Sequence, residues 1–136
     1  MSLYKKKNHA VSALYAHVVL TIKYRRPALS EPDIARTVMV SIRRTALMLN
    51  CEIEAIESDA NHLHILLRWP PAISLSTLIQ QIKGRSAREV RMNERQKLRP
   101  YLWGKHFWSP SYCVISCGGA PLSVIKRYVE EQGKEP

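Results

Sequence analysis

The stretch Asn61-His62-Leu63-His64-Ile65-Leu66-Leu67-Arg68-Trp69 decides the fold, and its alternation also fixes where chemistry can happen. On a β-strand successive side chains point to opposite faces, so residues two apart share a face at a separation of roughly 7 Å. Leu63, Ile65 and Leu67 then make one apolar stripe for a core, while His62 and His64 project from the other side of the sheet. Two imidazoles so spaced can close on one divalent cation. The same pair equally suits the solvated side of a half-buried strand, and the three-residue match alone does not separate the two readings.

Working outward, Cys51–Ser58 (CEIEAIES) alternates apolar and polar, Asp59–Asn61 makes a short turn, and His62–Trp69 returns as the partner strand of a hairpin. Leu14–Tyr24 (LYAHVVLTIKY) is β-branched and aromatic, as a buried first strand should be, and Arg25-Arg26-Pro27 ends it. Glu31-Pro32-Asp33 opens a helix to about Asn50 with Ile34, Val38, Ile42, Ala46 and Leu49 on one stripe. Its Arg36, Arg43 and Arg44 are solvated. Beyond Pro70-Pro71, Ser74 caps a second helix whose apolar face is Leu75, Leu78, Ile79, Ile82 and Val90 and whose far end, Arg88, Arg91 and Arg95, is basic. An aromatic segment, residues 101–108, leads to a fourth strand over Ser111–Ser116. Gly118-Gly119 then breaks the chain before a terminal helix at residues 120–133, started by Pro121. The order β-α-β-β-α-β-α contains the split β-α-β arrangement of ferredoxin-like, RRM-like α+β folds: an antiparallel sheet with both helices on one face. His62 and His64 belong on the free face. A single domain over residues 1–136 is expected, with residues 1–10 as a basic arm.

The 21 Lys and Arg against 11 Asp and Glu give a net charge of +10, a large field for so small a chain and one that favours a polyanion, nucleic acid first. No apolar run is long enough to span a bilayer and the N-terminus lacks a secretory core, so a cytoplasmic protein with no membrane partner is expected. Cys51, Cys113 and Cys117 form no C-x-x-C pair, which argues against a disulfide framework or a four-cysteine zinc site.

In the terminal helix Tyr128 and Gln132 stand four apart and share a side, with Leu122, Ile125 and Val129 as the packing stripe beside them. Taken alone these read as an amphipathic edge tyrosine and a solvated amide. Together with His62-Leu63-His64 on a sheet and the segment Leu102–Tyr112 (LWGKHFWSPSY), however, they make the chain resemble the small HUH transposases with one catalytic tyrosine, which mobilise minimal bacterial insertion sequences as single-stranded DNA. REP-associated tyrosine transposases are relatives of that group. The resemblance runs from the first strand through Gln132.

It implies that His62, His64 and Gln132 hold a divalent metal, Mg²⁺ or Mn²⁺, and that Tyr128 is the nucleophile. It further implies recognition of a DNA hairpin near each transposon end, cleavage of the single strand nearby, and a homodimer in which the tyrosine helix can dock on the other subunit's histidines. One departure stands out: relatives often carry aspartate before the first histidine, where this chain has Asn61. The residue types suit the chemistry independently. A phenol with a pKa of about 10 is a weak nucleophile at neutral pH, and it needs a metal or neighbouring cations such as Lys126 and Arg127 to make in-line attack on phosphate feasible. Two ends must be cut with one nucleophile per chain, which also favours a homodimer.

Lys5, Lys6, Arg25, Arg26, Lys83, Arg85, Arg88 and Lys105 are candidate phosphate contacts, and Tyr101, Trp103 and Trp108 candidate base-stacking surfaces. His9, His17 and His106 lack the spacing of the central pair and are read as structural. Two alternatives compete: a non-catalytic single-stranded nucleic-acid-binding module of RRM-like fold, and an HUH nickase of the replication or mobilisation type. The first leaves the histidine pair and the Tyr-x-x-x-Gln helix unexplained. The second usually needs further domains that a chain of 136 residues cannot hold.

Overall fold

A computed structural model describes residues 14–102, 104–116, 127, 130 and 131. Its elements are β1 (Leu14–Ile22), α1 (Pro32–Met48), β2 (Glu52–Ser58), β3 (His62–Trp69), α2 (Leu75–Asn93), a single turn α3 (Arg95–Leu98) and β4 (Trp108–Ser116). The four strands lie in the order β2-β3-β1-β4, each antiparallel to its neighbour, which is the expected ferredoxin-like α+β sheet. The basic arm and the tyrosine-bearing terminal helix fall outside the described residues, apart from Arg127, Glu130 and Glu131, which are helical. No helix among the described residues is long and apolar enough to cross a membrane.

The two long helices each begin at a side-chain cap. At α1 the Glu31 carboxylate accepts from the Asp33 amide at 3.0 Å, and Pro32 occupies the first turn, where its missing N–H costs nothing. The far end closes as a Schellman motif: Asn50 takes a left-handed φ of 58°, its amide donates to the Leu47 carbonyl, and the Cys51 amide donates to that of Ala46 at 2.8 Å. The chain therefore reverses directly into β2. At α2 the Ser74 hydroxyl accepts from the Thr77 amide at 3.2 Å.

The core lies between the sheet and the two long helices. Leu63, Ile65, Leu67 and Trp69 of β3 join Ala16, Val18, Leu20 and Ile22 of β1 there, beneath Ile34, Val38 and Ile42 of α1 and Leu78, Ile79, Ile82 and Val90 of α2. In the register Leu63 stands opposite Leu20 and Ile65 opposite Val18, so by parity His62 and His64 share the face turned away from α1 and α2 with Tyr15, His17, Val19 and Thr21.

Two boundaries differ from expectation. β1 stops at Ile22 because Tyr24 and Arg25 both adopt positive φ, 59° and 52°, which turns the chain out of the sheet. β4 begins at Trp108 rather than Ser111: Trp108 pairs with Ile22, and Pro110 is tolerated because β4 is an edge strand.

Trp108 also overturns its reading as a base-stacking surface. It is buried, packs edge-on to Phe107, and donates its indole N–H to the Ser86 hydroxyl at 2.9 Å, while that hydroxyl donates to the Ile82 carbonyl. Ser86→Ala would leave a buried donor unpaired. It should lower stability by about 1–3 kcal/mol, read as a lower urea midpoint at unchanged m-value.

A second contact ties α1 to α2. Ser41 and Arg44 donate to the two carboxylate oxygens of Glu89 at 2.6 and 2.7 Å, and the Ser41 bond, helped by Arg44, holds that carboxyl below its ordinary value. A carboxyl depressed in the folded state stabilises above its unfolded pKa, and the benefit fades as pH falls through the folded one. The stability gap between the wild type and Glu89→Gln should therefore be full at pH 7 and shrink below about pH 4.5, which urea melts across pH would show.

Candidate active site

His62 and His64 are brought together as the strand spacing requires, their rings 4.8 Å apart and edge-on. They differ in environment. His62 sits at the mouth of the hairpin and is partly exposed, whereas His64 is only 6% exposed and is not the solvated residue that the bland reading of the pair entails.

Each imidazole is held by its Nδ1 atom. His62 Nδ1 lies 2.7 Å from Asn61 Oδ1, a geometry in which the ring N–H donates and Nε2 is left with its lone pair. Asn61 thus makes, without charge, the hydrogen bond that an aspartate would make there. The Asn61 backbone is itself anchored, its carbonyl accepting from the Ile22 amide at 2.8 Å. A carboxylate does approach from the turn: Asp59 Oδ2 lies 3.7 Å from His62 Nε2.

His64 Nδ1 lies 3.0 Å from Nε2 of His17, on the neighbouring strand β1. Sequence reasoning read His17 as structural and missed this contact. The signal was its parity with Tyr15, Val19 and Thr21, which becomes informative only once the β1–β3 register is known. Burial, followed by the adjacent His62 and His17, pushes His64 down to about 4, while burial alone lowers His17. Both rings are therefore neutral at pH 7, the form that ligates metal.

The donor set fits a divalent cation. His64 Nε2 is buried and has no hydrogen-bond partner, and among the described residues no set of three His, Cys, Asp or Glu side chains converges to complete such a site. Gln132, expected as the further ligand, and Tyr128, the expected nucleophile, lie outside the described residues, as do Lys5, Lys6 and Trp103.

Of the remaining basic candidates, Arg25 and Arg26 are exposed where the chain leaves β1, and Arg26 lines a cleft with Lys23, Tyr24, Tyr101 and Lys105. An adjoining cleft of about 470 Å³ is lined by Lys23, Lys83, Arg91, Lys105 and His106. Lys23 was not singled out in the sequence, and Arg91 was read only as part of the basic end of its helix. Lys83 already donates to the carbonyls of Ser109, at 2.7 Å, and Pro110, and burial lowers its pKa, so it pins β4 to α2 as well as charging the cleft. Arg85 and Arg88 stand exposed on α2 outside both clefts, with Arg85 donating to Gln81. Tyr24, strongly exposed, lies beneath the Lys23 ammonium at 5.2 Å and near the Arg26 guanidinium.

Comparison with known proteins agrees with this architecture. The chain is 30% identical over 128 residues to the ISDra2 transposase TnpA of Deinococcus radiodurans, covering 94% of this chain and 90% of the relative. It is 29% identical over 119 residues to the transposase for insertion sequence element IS200 of Salmonella typhimurium, covering 88% and 76%. Among solved structures, a transposase from Deinococcus radiodurans superposes with a TM-score of 0.69 at 28% identity, over 90% of this chain and 92% of that one. A REP-associated tyrosine transposase bound to a REP hairpin shares the fold with a TM-score of 0.62 at 14% identity, over 88% and 64%. The model of the family described as "Transposase IS200 like" matches residues 10–132, and the chain therefore belongs to the IS200-like transposase family.

Proposed function

We propose that this transposase cleaves and rejoins single-stranded DNA through a covalent tyrosine intermediate, with His62, His64 and Gln132 holding Mg²⁺ or Mn²⁺ and Tyr128 as the nucleophile. The observation that carries the reading is the histidine pair: two imidazoles on one face, each held at Nδ1, with the buried Nε2 of His64 unpartnered. The chemistry that such an ion supplies when bound is charge withdrawal from a phosphate. The Tyr128 phenolic oxygen attacks the phosphorus, forming a 5′-phosphotyrosine as the P–O3′ bond breaks. The phenol gives up its proton and the departing 3′ oxygen gains one. Reverse attack by a 3′ hydroxyl releases the tyrosine and joins strands, so the phosphoester linkage is conserved and no nucleotide cofactor is consumed.

The substrate proposed is a DNA hairpin marking each transposon end. The basic clefts around Lys23, Arg26, Lys83 and Lys105 and the cation-flanked Tyr24 support it, and the fold neighbour bound to a REP hairpin agrees with it. His64→Ala should reduce Mn²⁺-dependent cleavage of a hairpin-bearing single strand by at least about 100-fold. Tyr128→Phe, which keeps the ring and deletes the hydroxyl, should yield no protein–DNA adduct on a denaturing gel. Cleavage by His64→Ala at the wild-type rate, or an adduct with Tyr128→Phe, would reject the assignment.

The working enzyme is proposed to be a homodimer, in which the segment around Gly118-Gly119 lets the Tyr128 helix reach across. β4 is an edge strand among the described residues and exposes Tyr112, Val114 and Ile115, surface suited to pairing with a second copy. Mixing His64→Ala with Tyr128→Phe tests assembly across subunits. Each heterodimer then holds one site with both histidines and tyrosine intact, and about a quarter of wild-type cleavage should return. Proven subunit exchange without recovery would show that each tyrosine serves its own subunit, and a monomer on DNA would reject the dimer.

A further inference from the structure

We propose that His17 is a positioning residue for the metal centre, fixing His64 in the one tautomer whose Nε2 lone pair faces the cation. The inference rests on the metal site proposed above and assigns a role within it to a residue of another strand.

β1 and β3 pair so that His17 stands opposite Leu66 and His64 opposite Val19, which makes the two histidines diagonal neighbours on one face of the sheet. Their rings lie 5.2 Å apart and tilted by 34°, with His17 Nε2 and His64 Nδ1 in hydrogen-bond contact at 3.0 Å. Such a nitrogen–nitrogen bond needs one donor and one acceptor. If His17 donated, neutral His64 would carry its proton on Nε2 and have no lone pair there to offer a cation. If His64 donates from Nδ1, Nε2 presents its lone pair and a cation satisfies it. His17 is then the acceptor that stabilises the ligating tautomer and holds the ring against rotation, the service that carboxylates and carbonyls give to metal-bound histidines elsewhere.

Asn61 performs the same service for His62, so the two ligands are backed from different places: one from the hairpin turn, the other from the central strand. His17 is 2% exposed, which keeps water from replacing it as acceptor. Because β1 is the central strand between β3 and β4, this backing is built into the most constrained part of the sheet.

Two measurements on the whole chain test the proposal. Nitrogen-15 NMR of the metal-free wild type should show His64 as the Nδ1–H tautomer, and an Nε2–H tautomer would overturn the proposal. Titration with Mn²⁺ alone, followed by electron paramagnetic resonance, should show affinity weakened about 10- to 100-fold in His17→Phe and largely restored in His17→Gln, whose amide oxygen can accept from His64. Wild-type affinity in a folded His17→Phe protein, or equal loss in both variants, would also overturn it, the latter because lost packing would then explain everything. Failure of the wild type to bind Mn²⁺ while His64 still shows the Nδ1–H tautomer would instead overturn the metal site underneath.

Discussion

Leu63, Ile65 and Leu67 must leave water, and β3 can satisfy that requirement in only one of its two orientations. A slip by one residue would push the imidazoles into the space beneath α1 and α2 and expose three large apolar side chains, at a cost of about 1.5–3 kcal/mol each. The packing of the core thereby orients the site. The hydrophobic effect itself is non-directional, but on a pleated strand it acquires a direction, and the histidines inherit it.

The face turned away from α1 and α2 asks for a different kind of accounting. Leu66, Arg68, His17 and His64 are all buried there. Arg68 is compensated by Glu52 at 3.5 Å, Glu54 at 3.3 Å and the ring of Tyr15. His64 meets the cost of burial by giving up its charge, and losing the charge is also what frees its nitrogen to act as a ligand. Desolvation, a penalty in folding, thus leaves His64 in the form that the proposed metal site requires.

Much of this was legible in the chain because its signals are local. Alternation in Cys51–Ser58 and His62–Trp69, the stripe Ile34-Val38-Ile42 and the caps at Glu31 and Ser74 each concern residues within a turn or a strand of one another, and they were enough for the order of elements and the side of the sheet on which the histidines stand. What escaped reading depends on register between distant segments. Nothing near His17 announces that it will meet a residue 47 positions away, and Trp108 reads as a stacking surface until Ser86 of α2 is known to take its N–H. Tyr24 and Arg25 are not residues that advertise left-handed backbone, so the early end of β1 was equally hidden. Tyr128 and Gln132 were assigned from their spacing and by resemblance, and both lie outside the described residues.

The two edges of the sheet are unequal. Along β2 the ladder is interrupted between Ile53 and Ala55 and carries Glu52, Glu54 and Glu57, so a second strand laid there would meet a kink and a row of like charges. β4 offers an uninterrupted run only after Pro110, which has no N–H to give. If two copies pair through β4, as proposed above, the blunted edge of β2 limits strand-to-strand association to two chains. A sheet competent at both edges would add copies without limit and grow into a fibre, so the acidic, kinked rim of β2 acts as the stop that keeps a sticky fold finite.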